Sequence, residues 1–248
     1  MARQARAKSL SGYYHVITRG IGRQVLFEED RDYEYFISLL KKYSLETNVS
    51  VCAYCLMNNH VHILLFDPDD AISLFMKKIG VSYSWFFNKK YERTGHLFQD
   101  RYRSEPIHDN AYLLTAFRYI LQNPQKASIC QTESYPWSSY HSYEDENSFV
   151  NTDMIRTLIG SFSDYEKFLS QNEDSECLEF EARKRDDESS RQQLCLILDI
   201  SDGMKLQSFD KTERDKALRK LKEEGFNPFQ VARLTGLGRS TVRRIMLD

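Results

Sequence analysis

Two histidines separated by one apolar residue stand in the run CLMNNHVHILLF, where His60 and His62 flank Val61. In an extended strand side chains alternate between faces, so both imidazoles would project from one face while Val61 points into the core behind them. Imidazole is a common ligand of divalent metals, and a strand is a rigid base for such a site. The same pattern also fits a half-buried strand whose histidines are only hydrogen-bonded.

Two histidines leave a metal under-coordinated, so a metal site needs a further ligand near the same face. A helix predicted over residues 110–123 carries Tyr119 and Asn123, which are four residues apart and therefore share a face. We expect this helix to stop at Pro124, because proline lacks a backbone N–H donor. Laid across a sheet face, it would present an amide oxygen to the metal and a phenol beside it.

The elements that would hold these side chains follow a definite order. Hydrophobic spacing predicts strand, helix, strand, strand, helix, strand and a further helix. These elements cover residues 13–20, 30–48, 49–57, 59–66, 72–87, 97–107 and 110–123. The order is that of a ferredoxin-like α+β fold, an antiparallel sheet with helices on one face, to which the last helix is an addition.

The length of 248 residues suits one catalytic domain and a smaller module. We assign residues 1–143 to the catalytic domain and residues 144–208 to an acidic, partly helical linker region. Residues 209–248 show helix, glycine-containing turn and helix, the pattern of a helix-turn-helix. Its candidate DNA contacts are Arg239, Ser240, Thr241, Arg243 and Arg244. A three-helix packing or dimerisation module is the alternative.

Charge is unevenly distributed along a chain whose formal net charge is only −2. The start of the chain and residues 77–103 are basic, residues 144–188 are acidic, and residues 211–244 are basic again. Two basic surfaces of this kind could follow a phosphate backbone. The candidate contacts in the first domain are Arg19, Lys77, Lys78, Lys89, Lys90, Arg101 and Arg103.

Composition also excludes several classes of protein. No segment approaches the roughly 20 apolar residues that span a bilayer, and no signal peptide is recognisable, so we expect no membrane association and a cytoplasmic location. Five scattered cysteines fit reduced thiols rather than a disulfide framework. Cys52 and Cys55 would point to opposite faces of a strand, which indicates core packing rather than zinc binding.

Several blocks of sequence, taken in order, resemble the HUH single-strand DNA transposases that use one tyrosine, and among them the REP-associated tyrosine transposases. The resemblance extends over roughly the first 140 residues, and the tail is similar to the helix-turn-helix of some members. The blocks are YHVITRG (14–20), LMNNHVH (56–62), TGHLFQDRY (94–102), RYILQNP (118–124) and YPWSSY (135–140). Family members often have proline or glutamate where Asn59 stands.

The resemblance implies that His60 and His62 bind metal, that Asn123 is the third ligand, and that Tyr119 is the nucleophile. Tyr112 is the rival nucleophile, because it lies seven residues earlier on the same helix face. The residue four places after Tyr112 is alanine, which cannot bind metal, so we prefer Tyr119. Imidazole, amide and phosphate ligands together favour Mg²⁺ or Mn²⁺.

The expected function is metal-dependent cleavage and joining of single-stranded DNA at or near hairpins, through a covalent 5′-phosphotyrosine. We expect single-stranded or hairpin DNA as partner and a monomer or homodimer. The alternative is a DNA-binding regulator without catalysis that acts through the helix-turn-helix. A histidine-triad hydrolase is disfavoured, because Leu64 stands where its third histidine would be.

Overall fold

A computed structural model describes residues 7–171, 177 and 187–247. The side chains of residues 187–189, Phe229, Arg233, Arg239, Ser240 and Leu247 lie outside this description. The chain divides into two compact units between residues 180 and 181. Each unit has its own hydrophobic core, and each is described by itself.

The first unit is built on a four-stranded antiparallel sheet. Its strands are β1 (Tyr13–Arg19), β2 (Ser50–Met57), β3 (His60–Phe66) and β4 (Arg103–Ile107), in the order β2-β3-β1-β4. The ferredoxin-like α+β prediction is therefore confirmed. Because β1 and β3 are the two central strands, both edges of the histidine-bearing strand are hydrogen-bonded, which fixes its register.

Helices cover both faces of this sheet. The first face packs on α1 (Asp30–Thr47) and α2 (Ile72–Lys90), around Phe36, Phe75 and Tyr83. The second face packs on α3 (Asn110–Lys126), the added helix. Short 3-10 turns occupy Ile21–Arg23, Thr132–Ser134 and Tyr140–Tyr143. Cys52 and Cys55 are buried free thiols, as predicted, but they pack in the same core cluster rather than on opposite faces, because a β-bulge shifts the register between Val51 and Ala53.

Two predicted boundaries are wrong. The fourth strand begins at Arg103 rather than at Leu97; before it, Phe98 forms only an isolated bridge with Gly20, and the Asp100 side chain accepts a hydrogen bond from the Arg101 N–H. Helix α3 runs through Pro124 to Lys126. The Asn123 side chain donates to the Tyr119 and Ile120 carbonyl oxygens (2.8 and 3.4 Å), and the latter is the acceptor that a proline at 124 leaves without its helical donor.

The region predicted as an acidic linker (144–208) contains elements of both units. Helices α4 (Asp153–Ile159) and α5 (Phe162–Ser170) belong to the first unit, where Tyr165 is fully buried and donates to the Tyr140 carbonyl at 2.8 Å. Helix α6 (Asp187–Leu198) and a 3-10 turn at Gly203–Ser208 belong to the second unit. Both α4 and α5 carry apolar residues at helical spacing, such as Ile155 and Leu158 in α4 and Tyr165 and Leu169 in α5, and the acidic composition of the region concealed this signal.

The described residues of the second unit form α6, that 3-10 turn and three further helices. These are α7 (Lys211–Glu223), α8 (Pro228–Thr235) and α9 (Arg239–Leu247), joined by short turns close to the predicted positions. Asn227 caps α8 by accepting from the Gln230 N–H at 2.9 Å, and Gly236 ends it with a φ of 68°. Val242 and Ile245 of α9 face the core, while Arg243 and Arg244 are exposed.

A buried carboxylate joins the start of α1 to the end of α2. Asp32 is fully buried, and it accepts hydrogen bonds from the Lys90 ammonium, the Tyr91 hydroxyl (2.6 Å) and the N–H groups of Glu28 (2.9 Å) and Glu29 (3.2 Å). Burial alone would raise the pKa of Asp32, but the hydrogen bonds outweigh it and lower the pKa below its usual value of 3.8. The folded protein therefore favours the charged carboxylate.

We expect Asp32→Asn to lower the free energy of unfolding by about 2–4 kcal/mol, because it leaves the partners of a buried charge unsatisfied. A carboxylate whose pKa is depressed by folding stabilises the protein above its unfolded pKa, and this contribution is lost as the pH falls through the folded value. Urea unfolding from pH 7 down to pH 3 measures both effects. Glu29→Gln is the control: its exposed carboxylate also lies 2.5 Å from Lys90, yet it should cost less than about 1 kcal/mol. Equal losses for the two variants would contradict this assignment.

No helix in the described ranges is both long and apolar enough to cross a membrane.

Candidate active site

The second face of the sheet brings three histidines together. In β3, His60 and His62 point to this face, while Val61 is buried on the other, as the alternation predicts. Strand β1 pairs with β3 so that Arg19 lies opposite His60 and Ile17 opposite His62. His15 therefore lies diagonally across from His62 on the same face.

Each histidine of the pair has one ring nitrogen occupied. His60 Nδ1 lies 2.7 Å from the Asn59 side-chain oxygen. His62 Nδ1 lies 3.0 Å from His15 Nε2, and both of these rings are buried. In the described part of the chain no hydrogen bond occupies Nε2 of either His60 or His62.

Both imidazoles of the pair are neutral at neutral pH. Burial, and then the charge of Arg19, lower the pKa of His60 to about 4. Burial, with smaller contributions from His15 and His60, lowers the pKa of His62 well below 6.5. Because a metal needs the unprotonated ring, these environments suit metal binding.

Tyr119 of α3 lies against the histidines. Its ring centroid is 5.6 Å from that of His62 and 5.9 Å from that of His15, both in edge-on contact. The Lys126 ammonium lies 4.5 Å from the centre of the same ring. The structure thus brings the predicted nucleophile and histidine pair together, and it places a cation beside the phenol.

Asn123 lies one helical turn after Tyr119 and is also buried. Its amide nitrogen is engaged by the backbone of its own helix, and its oxygen accepts no hydrogen bond from the described residues. An amide held by its nitrogen leaves the oxygen free to bind a cation.

Tyr112 lies in a different environment. Its hydroxyl donates to the Glu105 carboxylate at 2.6 Å. Burial and this hydrogen bond raise the pKa of Tyr112 far above its ordinary value of 10.0. A phenol bonded to a carboxylate resists deprotonation, which makes Tyr112 a poorer candidate nucleophile than Tyr119.

The candidate DNA contacts of the first unit differ in their environments. Lys77 and Arg101 line an open groove of about 910 Å³ between α2 and residues 95–102, together with Phe98 and Tyr102. Arg19 borders the histidine pair, donates to the Gln99 side chain at 3.2 Å and carries the charge that acts on His60. Two others are engaged within the protein, since Lys78 pairs with Glu46 at 2.6 Å and Lys90 with Asp32.

Four of the remaining candidates, Lys89, Arg103, Arg243 and Arg244, are exposed. Lys89 lies 5.0 Å from the ring centre of Trp85, and Arg103 begins β4. In the second unit Thr241 is partly exposed on α9 beside the exposed Arg243 and Arg244. The side chains of Arg239 and Ser240 lie outside the described residues.

Whether a divalent metal can bind at the histidine pair depends on which side chains can act as ligands. Among the described residues no three His, Cys, Asp or Glu side chains converge on one point suitable for a metal. Two neutral imidazoles with open Nε2 positions and an amide oxygen, that of Asn123, are nevertheless ligand types that Mn²⁺ and Mg²⁺ accept. The chemistry of these three side chains therefore fits a divalent metal.

A ferredoxin-like sheet with paired histidines on a central strand, packed against a helix that bears a tyrosine, is the arrangement that the resemblance to HUH single-tyrosine transposases leads us to expect. Residues 8–123 match the family described as "Transposase IS200 like".

Solved structures include two similar chains. One is described as the REP-associated tyrosine transposase bound to a REP hairpin, with a TM-score of 0.50 and 17% identity over 57% of this chain and 84% of that chain. A protein from Deinococcus radiodurans R1 described as a transposase gives a TM-score of 0.34 and 19% identity over 46% and 92%. A search of curated proteins finds no matching sequence. The first similarity shows a shared fold.

Two neighbours of the site were missed by sequence reasoning. His15 could have been noticed in the sequence, because it lies four residues before Arg19 and therefore on the same face of β1. Its contact with His62, however, depends on the register of β1 against β3. Lys126 lies two turns after Tyr119, and the prediction that α3 ends at Pro124 removed it from the helix.

Proposed function

We propose that this protein is a transposase that cleaves and rejoins single-stranded DNA by metal-dependent transfer of a phosphodiester to Tyr119. The observation that supports it most directly is the edge contact, 5.6 Å between ring centroids, of Tyr119 with His62. In this proposal His60, His62 and Asn123 hold Mg²⁺ or Mn²⁺. Such a metal, when bound, withdraws charge from a phosphate oxygen and favours the phenolate.

In the proposed reaction, Tyr119 exchanges one phosphodiester bond for another. Tyr119 Oη attacks phosphorus, its bond to phosphorus forms, and the bond from phosphorus to the 3′ oxygen breaks. The phenolic proton is lost and the departing 3′ oxygen gains one, so that a 5′-phosphotyrosine and a 3′-hydroxyl result. Because one phosphodiester replaces another, a second 3′-hydroxyl can reverse the step and join strands.

Lys126 is proposed to assist the attack by Tyr119. Its ammonium lies 4.5 Å from the centre of the Tyr119 ring, close enough to stabilise negative charge on the phenol. Arg19, beside His60, is positioned to bind the phosphate that enters the site.

Hairpin or single-stranded DNA is the proposed substrate. The REP-associated transposase that shares this fold is described in complex with a REP hairpin. In this chain the groove beside α2 combines Lys77 and Arg101 with aromatic side chains, a combination suited to backbone charge and base stacking. We assign weaker roles to Lys78 and Lys90, because both already form ion pairs.

We further propose that the second unit binds DNA through α8 and α9. The exposed arginines Arg243 and Arg244 lie on the solvent side of a helix whose other face, with Val242, is buried. The turn between the two helices begins at Gly236, as a helix-turn-helix requires. Thr241 would lie beside the arginines at the start of α9, as would Arg239 and Ser240.

The proposal predicts a covalent adduct. Wild-type protein with Mn²⁺ or Mg²⁺ should form a band that resists denaturant on a single-stranded oligonucleotide containing a hairpin from its own genomic flank. A fully paired duplex of the same sequence should give little or none, because the phosphate must reach a buried site. DNA binding without an adduct on any flanking hairpin would favour the regulator that acts through its second unit. An equal adduct on the duplex would contradict the proposed substrate.

A further inference from the structure

We infer that Asn59 and His15 are positioning residues, which hold the two histidines of the candidate metal site with their Nε2 lone pairs available. The inference rests on the proposed function, because it concerns the same site. It extends that proposal to two residues behind the candidate ligands. Neither residue is part of the ligand set.

Asn59 determines which nitrogen of His60 carries the proton. Its amide nitrogen donates to the Arg23 carbonyl at 3.4 Å, which turns the amide oxygen towards His60 Nδ1 at 2.7 Å. A carbonyl oxygen can only accept, so the Nδ1 of His60 must be the protonated nitrogen. The lone pair of a neutral ring in this tautomer lies on Nε2, the nitrogen required for a metal.

The turn that carries Asn59 is itself held in place. The Asn59 carbonyl accepts from the Gly20 N–H at 3.0 Å, and the Asn58 carbonyl accepts from the Leu26 N–H at 2.7 Å. At Gly20 a side chain would collide with the Gln24 carbonyl, since an added Cβ would lie 2.1 Å from that oxygen. Backbone hydrogen bonds of both Asn58 and Asn59 therefore hold the turn in place, and with it the Asn59 amide oxygen that accepts from His60 Nδ1.

His15 has the corresponding relation to His62. Its Nε2 lies 3.0 Å from His62 Nδ1, so one proton is shared between these two nitrogens. A metal on His62 Nε2 requires the proton on Nδ1, with His15 as acceptor. The other nitrogen of His15, Nδ1, is buried and has no hydrogen-bond partner among the described residues. An unpaired buried nitrogen is costly, so stability alone would favour an apolar ring at position 15.

Carboxylates and carbonyls behind metal-binding histidines fix the ring tautomer, and their loss lowers metal affinity about 10–100-fold. Here an amide and a second imidazole supply those acceptors. Asn59→Asp keeps an acceptor at His60, and Asn59→Leu removes it. His15→Gln keeps an amide oxygen that can accept from His62, and His15→Phe keeps the ring shape without an acceptor.

The first test uses metal-free full-length protein labelled with ¹⁵N-histidine. Long-range ¹H–¹⁵N spectra distinguish the two tautomers, and the six histidines are assigned from single substitutions. We expect His60 in the Nδ1–H tautomer in wild type and in Asn59→Asp, and a shift towards Nε2–H in Asn59→Leu. A His60 that already carries its proton on Nε2 in wild type would overturn the inference for Asn59.

The second test measures Mn²⁺ affinity from the electron paramagnetic resonance of free Mn²⁺. Asn59→Leu and His15→Phe should weaken binding at least tenfold, while Asn59→Asp and His15→Gln should stay within about threefold of wild type. Thermal unfolding of each variant shows whether it is folded. If both variants of a folded pair bind Mn²⁺ equally, that residue does not position the site. If wild type shows the expected His60 tautomer but forms no DNA adduct, the proposed function fails and the assignment of Asn59 stands.

Discussion

Tyr119→Phe should reduce the covalent DNA adduct by about 10³-fold or more, because it removes the only oxygen of the proposed nucleophile. The ring contacts with His62 and His15 would remain, so the variant should fold and bind single-stranded DNA as wild type does. Denaturing gels with labelled oligonucleotide measure the adduct, and fluorescence anisotropy measures binding. Loss of both adduct and binding would point to a structural role instead.

Tyr112→Phe is the matched control on the same helix. It removes a hydroxyl that donates to Glu105 at 2.6 Å, so it should lower stability modestly and leave the adduct within about threefold of wild type. The reverse outcome, an adduct with Tyr119→Phe and none with Tyr112→Phe, would identify Tyr112, two helical turns earlier on α3, as the nucleophile. The raised pKa of Tyr112 argues against that outcome.

His62→Ala should abolish measurable Mn²⁺ binding at the site and lower the adduct by about 10²–10⁴-fold, because it removes one of only two imidazole ligands. Excess metal should restore little of the lost activity. Isothermal titration with Mn²⁺ and the adduct assay provide the two readouts. Retention of both would show that the metal, if used, is held elsewhere.

The control for this prediction must distinguish the loss of a metal ligand from the destabilising effect of a cavity in the core. His62 is buried, so alanine at this position also leaves space in the core. His62→Leu fills more of that volume without any nitrogen or oxygen that could bind a metal, and it should show the same loss of Mn²⁺ binding with a smaller fall in melting temperature. His108→Ala, at an exposed histidine after β4, should change neither quantity.

Much of the first unit was predictable because its patterns are local. Alternation in β1 and β3 and helical spacing in α1 and α3 depend on neighbours within one element, and these elements occur close to the predicted positions. The placement of Tyr119 over the histidine strand also followed from the sequence, through the resemblance of the motifs.

The features that were missed depend on contacts between distant parts of the chain. The role of His15 required the register of β1 against β3, and that of Lys126 required α3 to continue past a proline. The ion pairs of Lys78 and Lys90 arise from packing of α1 on α2, which no charge pattern within either helix reveals. Local spacing identifies a charged residue but not its partner.

Strand β1 presents different side chains to the two faces of the sheet. Thr18 lines the groove beside α2, whereas His15 and Arg19 face the paired histidines. DNA held in that groove as proposed cannot pass through a hydrogen-bonded sheet, so its backbone must run around an edge to reach Tyr119. The width of the sheet would then set how many unpaired nucleotides separate a bound hairpin from the point of cleavage.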